Sequence, residues 1–218
     1  MLSDTQIQKK IKILTNKLNV GNFKDVIDET SILLKKNKHQ VFFNILCLAY
    51  QSTNDLKNSE KVMEEALKLN PNNPYFLNNM GVTQHKIGNL KIAENFFIRG
   101  LKIAPDYINI LNNLGNLKSD LDQADEALNY YKKSLSINSK AIETLINISI
   151  CYQSLGNFTK AKDHLFDLLK INPVMTIADR LISSMLEYEE NNSHLADMLK
   201  KSKQLKLDNI QSANLFFA

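Results

Sequence analysis

Between Pro74 and Pro105 the chain reads PYFLNNMGVTQHKIGNLKIAENFFIRGLKIAP, two stretches of helical apolar spacing parted by a Gly-Asn turn. Its slots recur. Met80, Gly81, Ala93, Phe97, Leu101 and Ile103 return 34 positions later as Leu114, Gly115, Ala127, Tyr131, Leu135 and Ile137. A further 34 positions on they are Ile148, Ser149, Ala161, Leu165, Leu169 and Ile171, and 34 positions before the first set they are Leu46, Cys47, Ser59, Met63, Leu67 and Leu69. Small residues at one set of slots and large apolar residues at another predict an all-α solenoid, built from antiparallel helix pairs that each pack on their neighbours.

The same register divides the chain. Residues 6–39 form a worn first copy: Ile7, Ile11, Leu14 and Leu18 have helical spacing, Gly21-Asn22-Phe23 makes the turn, and Val26, Leu33 and Leu34 carry the second helix one residue out of phase. Copies at 40–73, 74–107, 108–141 and 142–175 follow. Each first helix is expected to end at a residue that tolerates left-handed backbone, namely Asn54, Gly88, Asp122 or Gly156. Each second helix should stop before Pro71, Pro105, Ser139 or Pro173. Leu67, Leu101, Leu135 and Leu169 are expected in the core beside Leu46, Met80, Leu114 and Ile148.

Beyond Met175 the pattern weakens. Ile177, Leu181, Met185 and Tyr188 fit a helix, Glu189–Ser193 a turn, and Leu195, Met198 and Leu199 a second helix, so 176–205 reads as a divergent sixth pair. Residues 206–212 read as a connector and 213–218, ANLFFA, as the opening of one more first helix. The whole of 1–218 is thus expected to be a single solenoid.

Composition narrows the function. With 27 Lys and Arg against 23 Asp and Glu the formal charge is +4, spread along the chain and too thin for the basic stripe of a nucleic-acid reader. MLSDTQIQKK lacks the apolar run of a signal peptide, and no later stretch approaches the roughly 18 apolar residues of a membrane span, which makes cytoplasmic the expectation. Cys47 and Cys151 lie three copies apart, beyond the roughly 7 Å reach of a disulfide, and read as core thiols of a reducing compartment. His39, His85, His164 and His194 stand in no metal-ligand spacing, and all six glycines serve turns or helix contacts, leaving none for a phosphate loop. The runs Glu187, Glu189, Glu190 and Lys200, Lys201, Lys203 read as solvated helix faces. Neither catalysis nor a cofactor or metal is expected.

The period of 34, the small residues at the glycine and alanine slots, and the proline closing most copies resemble a tetratricopeptide repeat array. The tryptophan common at the fourth slot of that family is replaced by Phe43, Leu77, Leu111 and Leu145. The resemblance implies a right-handed superhelix whose first helices line a concave groove for an extended peptide or a partner's helix. It assigns that face to Asn79, Asn113 and Asn147, one slot in three successive copies, similar to the asparagine ladder in the repeats of O-linked N-acetylglucosamine transferase. Asn44, Asn78, Asn112, Asn116, His85, Lys86 and Lys118 fall on or near the same face. Ile45 interrupts the ladder, and only Lys86 and Lys118 could serve a carboxylate clamp of the kind used by chaperone-binding arrays. The expected function is a protein-interaction scaffold. The alternative is the recognition arm of a larger sulfotransferase or glycosyltransferase, since His194–Ala218 resembles the stretch leading into the last repeats of bacterial repeat-containing sulfotransferases. The Pro-Arg-Ser-Gly-Thr type loop of those enzymes is absent. Under this alternative the apolar end, Leu215-Phe216-Phe217-Ala218, should self-associate.

Overall fold

A computed structural model describes residues 3–187, 192–216 and 218, and among them every regular element is an α-helix. First helices are α1 (Asp4–Asn19), α3 (Gln40–Ser52), α5 (Pro74–Ile87), α7 (Ile108–Asp120), α9 (Ile142–Ser154), α11 (Thr176–Ser183) and α13 (Asn209–Phe216). Second helices are α2 (Phe23–Lys36), α4 (Leu56–Leu69), α6 (Leu90–Ile103), α8 (Ala124–Ile137), α10 (Phe158–Ile171) and α12 (Ser193–Gln204). From α3 to α11 the first helices start at 40, 74, 108, 142 and 176, an interval of 34, so the fold is the all-α helical repeat that the sequence predicts.

One local device sets that interval. Asn54, Gly88, Asp122 and Gly156 carry φ of 59, 95, 57 and 72°, and the residue after each returns its N–H to the carbonyl five positions back. The bonds are Asp55 to Tyr50 and Asn89 to Gln84 at 2.9 Å, and Gln123 to Lys118 and Asn157 to Tyr152 at 2.8 Å. This left-handed closure satisfies carbonyls that the helix end would leave orphaned. Asn and Asp accept the conformation because their short polar side chains tolerate it better than other non-glycine residues. At the opposite end, Asn73 caps α5 by accepting from Tyr75 and Phe76, with Pro74 at the first helical position, where a missing N–H costs nothing.

The chain divides into two compact units, 1–113 and 114–218. The core of the first gathers Leu14, Val26, Phe42, Phe43, Leu46, Met63, Phe76 and Met80. Close approach of α5 to α6 depends on Gly81, where a Cβ would stand 2.6 Å from Cδ1 of Phe97. In the second unit Tyr131, Ile148 and Cys151 form one cluster, and Leu145, Leu165, Leu168 and Ile182 another.

Two expectations need correction. Leu67, Leu101, Leu135 and Leu169 are only half-buried, whereas the residues just before them, Ala66, Gly100, Ser134 and Leu168, are fully enclosed. One helical step turns the side chain about 100°, so the core direction passes through the preceding slot and the leucines flank it. The stretch read as a connector already turns helical at Asn209. There Asp208 and Gln211 form a reciprocal cap, Gln211 N–H to Asp208 Oδ1 at 2.8 Å and Asp208 N–H to Gln211 Oε1 at 3.0 Å. Tyr188, Glu189, Glu190 and Phe217, which the sequence reading assigned to helix, turn and tail, lie outside the described residues.

Beneath the α3–α5 contact runs a buried polar chain. Cys47 Sγ meets Ser59 Oγ at 3.2 Å, Ser59 meets Thr83 Oγ1 at 2.8 Å, and Thr83 donates to the Asn79 carbonyl at 2.9 Å. Burial pushes the Cys47 thiol up to about 11 and also raises Cys151. Cys47 is therefore expected to react with iodoacetamide at pH 8 about 100-fold slower in the native chain than in urea, and Cys151, equally enclosed, is expected to be slowed as well. Labelling rates followed by mass spectrometry check this, and a native rate close to the unfolded one would contradict the packing of these cysteines.

Candidate peptide-binding face

In the first unit, helical registry sets asparagines of α3, α5 and the start of α7 side by side, and their amides join. Asn113 Nδ2 donates to Asn78 Oδ1 at 2.8 Å, Asn78 Nδ2 to Asn79 Oδ1 at 3.3 Å, and Asn79 Nδ2 to Asn44 Oδ1 at 3.0 Å. Asn78 is buried, while Asn44, Asn79 and Asn113 are half-buried. Beside them Gln51 spans to α5, donating to Thr83 Oγ1 at 3.0 Å and to the Asn79 carbonyl at 3.1 Å, and the exposed Lys86 donates to the Gln51 carbonyl at 3.2 Å. His85 is half-buried and Asn112 is 2% exposed. Each side-chain amide has two N–H donors and an oxygen with two lone pairs, so this row uses only part of its hydrogen-bonding capacity on itself.

The second unit has a smaller arrangement of its own. Asn116 Oδ1 accepts from Asn147 Nδ2 at 2.9 Å and from the Tyr131 hydroxyl at 2.7 Å. Lys118 is 8% exposed. Its ammonium is engaged by Glu126 at 3.0 Å and Gln123 at 3.1 Å, so it ties α7 to the start of α8.

Sequence reading missed a charged cluster in the same unit. Asp179 stands at the slot that earlier copies fill with Phe43, Leu77, Leu111 and Leu145, and like them it is buried, at 0% exposure. Lys201 Nζ clasps both its oxygens at 2.7 and 2.9 Å, and His194 Nε2 lies 3.2 Å from Oδ1. His194 and Lys201 form part of the wall of a cleft of about 940 Å3 between α10 and α12, with Phe166, Leu169, Pro173 and Leu205 as its apolar lining. Laying the copies in register exposes the anomaly, a carboxylate in a column of large apolar residues.

Among the described residues no three His, Cys, Asp or Glu side chains converge as metal ligands, and no helix is long and apolar enough to cross a membrane. Sequence profiles described as tetratricopeptide repeat match residues 39–73, 62–95 and 106–172. No curated protein matches the chain in sequence. Solved structures similar to it include a thermophilic TPR protein of Thermus thermophilus, with TM-score 0.73 and 14% identity over 82% of this chain and 97% of that one. PilF of Pseudomonas aeruginosa aligns with TM-score 0.67 and 15% identity over 96% of both chains. MamA of Desulfovibrio magneticus RS-1 aligns with TM-score 0.60 and 15% identity over 80% of this chain and 99% of that one. At such identities the likeness establishes the fold.

Proposed function

The chain belongs to the tetratricopeptide repeat family, and on that premise we propose that it is a non-catalytic interaction module whose first unit holds an extended peptide along its asparagine row. The observation that carries this reading is the linked set Asn113, Asn78, Asn79 and Asn44, which presents spare amide donors and acceptors on three successive first helices. Such a row matches the alternating N–H and C=O of a peptide backbone and reads little of its sequence. Buried free thiols suit a reducing compartment, in keeping with a cytoplasmic location.

Phage-displayed random dodecapeptides selected on the whole chain supply the probe. Asn79→Ala combined with Asn113→Ala is expected to weaken the selected peptides about tenfold, as two lost hydrogen bonds of about 0.5–1.5 kcal/mol each would do. The same variant also takes both amide partners from the buried Asn78 and should lose about 1–3 kcal/mol of folding stability, so affinity is compared at a temperature where the variant is fully folded. Peptide affinity that survives the double substitution would remove the asparagines from the binding face.

A further inference from the structure

Within the first unit, α4 and α6 enclose a groove of about 600 Å3. Leu67 and Pro71 line it on the α4 side, Ile92 and Phe96 on the α6 side, and Met80 and Gln84, each 4% exposed, form its floor. Ile92 is 50% exposed. With Phe96 and Arg99 it occupies one face of α6 at i, i+4 and i+7, and the Arg99 guanidinium lies 5.5 Å from the centre of the Phe96 ring. A shallower hollow of about 260 Å3, formed by α6 residues alone, adjoins the same three side chains. They stand as a ridge between two depressions.

The charges along the groove are ordered. Gln84 Nε2 donates to Glu60 at 2.6 Å, and its oxygen accepts at 2.8 Å from Asn89, the N-cap of α6, so the Glu60 end of α4 lies beside the start of α6. Glu64 follows one turn on, and the opposite end of the groove carries Lys68 and Arg99. Glu64, Lys68 and Arg99 are exposed, and among the described residues none of them has an ion-pair partner. The groove thus runs from acidic to basic, while its ridge runs from apolar Ile92 to cationic Arg99. A surface with this order is complementary to itself turned through 180°. We propose that the α4–α6 groove is a two-fold dimer interface, in which each copy's ridge enters the other copy's groove in the antiparallel sense. Arg99 then reaches Glu60 and Glu64 of the other copy, Ile92 packs on the other copy's Leu67 and Pro71, and every contact is made twice. The interface is built on second helices, whereas the asparagine row is carried by first helices, so dimerisation leaves the row free.

Sedimentation equilibrium of the whole chain from about 1 to 200 μM should show a reversible monomer–dimer equilibrium with a micromolar Kd, weakening as salt rises. Arg99→Glu brings like charges together at both contacts, and so does Glu64→Arg. Each variant alone should dimerise at least tenfold more weakly, with little change in unfolding midpoint because both side chains are exposed. Mixed in equal amounts, the two variants pair opposite charges at both contacts and should recover the dimer affinity of the unaltered chain. A chain that stays monomeric throughout would overturn the proposal and leave the groove to a helix of another protein. A dimer untouched by Arg99→Glu, or a mixture no tighter than the separate variants, would overturn it as well, by placing self-association elsewhere.

Discussion

Replacing Lys201 by alanine is expected to destabilise the second unit by about 3–5 kcal/mol, the cost of leaving a buried carboxylate without its partner. Asp179 is 0% exposed and takes both oxygens' worth of bonding from Lys201, whose side chain is itself only 14% exposed. His194 alone, at 3.2 Å from one oxygen, cannot replace the lost ammonium. Asp179→Leu should cost less, since it restores the residue type of Leu145 at the same slot and lets Lys201 turn to solvent. It takes from the buried His194 its Nε2 partner, so a loss of about 1–3 kcal/mol is expected. In the double variant most of the Lys201→Ala loss should vanish, a coupling that a mere packing role for the lysine stem would not produce. Hydrogen exchange of the α11 and α12 amides reads the effect locally, which matters because a chain of two units need not unfold in one step. A Lys201→Ala loss below about 1 kcal/mol would show that the ion pair does not hold α12.

The other large effect is expected at Gly115. A Cβ built there stands 2.7 Å from Cζ and 2.8 Å from Cδ1 of Tyr131, a ring 2% exposed and anchored by its hydroxyl to Asn116. The ring cannot yield without giving up that bond, so Gly115→Ala should cost about 1–3 kcal/mol, and Gly115→Leu at least as much. The chain contains its own control. Gly81 faces Phe97 and Gly115 faces Tyr131, whereas at the same slots Ser149 is paired with Leu165 and Cys47 with Met63. Glycine thus goes with an aromatic ring, and a larger small residue with an aliphatic side chain. Gly115→Ser with Tyr131→Leu reproduces the fifth copy's pair, Ser149 with Leu165, and is expected to recover most of the loss that Gly115→Ser causes alone. Urea unfolding midpoints of the three variants decide it, and simple additivity would mean that the ring is not the obstacle.

These cases also show how far the sequence could be read. The 34-residue interval and the left-handed turns were legible, because each depends on residue types at fixed offsets: Asn54, Gly88, Asp122 and Gly156 occupy one position four times. The leucines of the second helices were misplaced by one step, because Leu67 and Ala66 are both apolar, and the choice between them rests on how closely neighbouring helices approach. The start of α13 was missed although its Asp-x-x-Gln cap is present at Asp208 and Gln211, since the apolar pattern there is faint. At the candidate face the sequence reading set Asn79, Asn113 and Asn147 in one column, but it did not foresee that Asn113 pairs with Asn78 and Asn79 with Asn44. This pairing joins residues 35 positions apart, and no local rule specifies which amide nitrogen meets which oxygen. Asp179 escaped because one acidic residue in a weakening pattern reads as surface until its column is laid out.

The asparagine row of the first unit has a head and a tail. Each of its three bonds runs in the same sense, from Asn113 through Asn78 and Asn79 to Asn44. Among the described residues this leaves an oxygen without a donor at the Asn113 end and an NH2 group without an acceptor at the Asn44 end. Reversing the row would require all four amides to flip together. A backbone lying along it therefore encounters a polar track rather than a symmetric one, and N-to-C and C-to-N orientations of the same peptide are not equivalent on it.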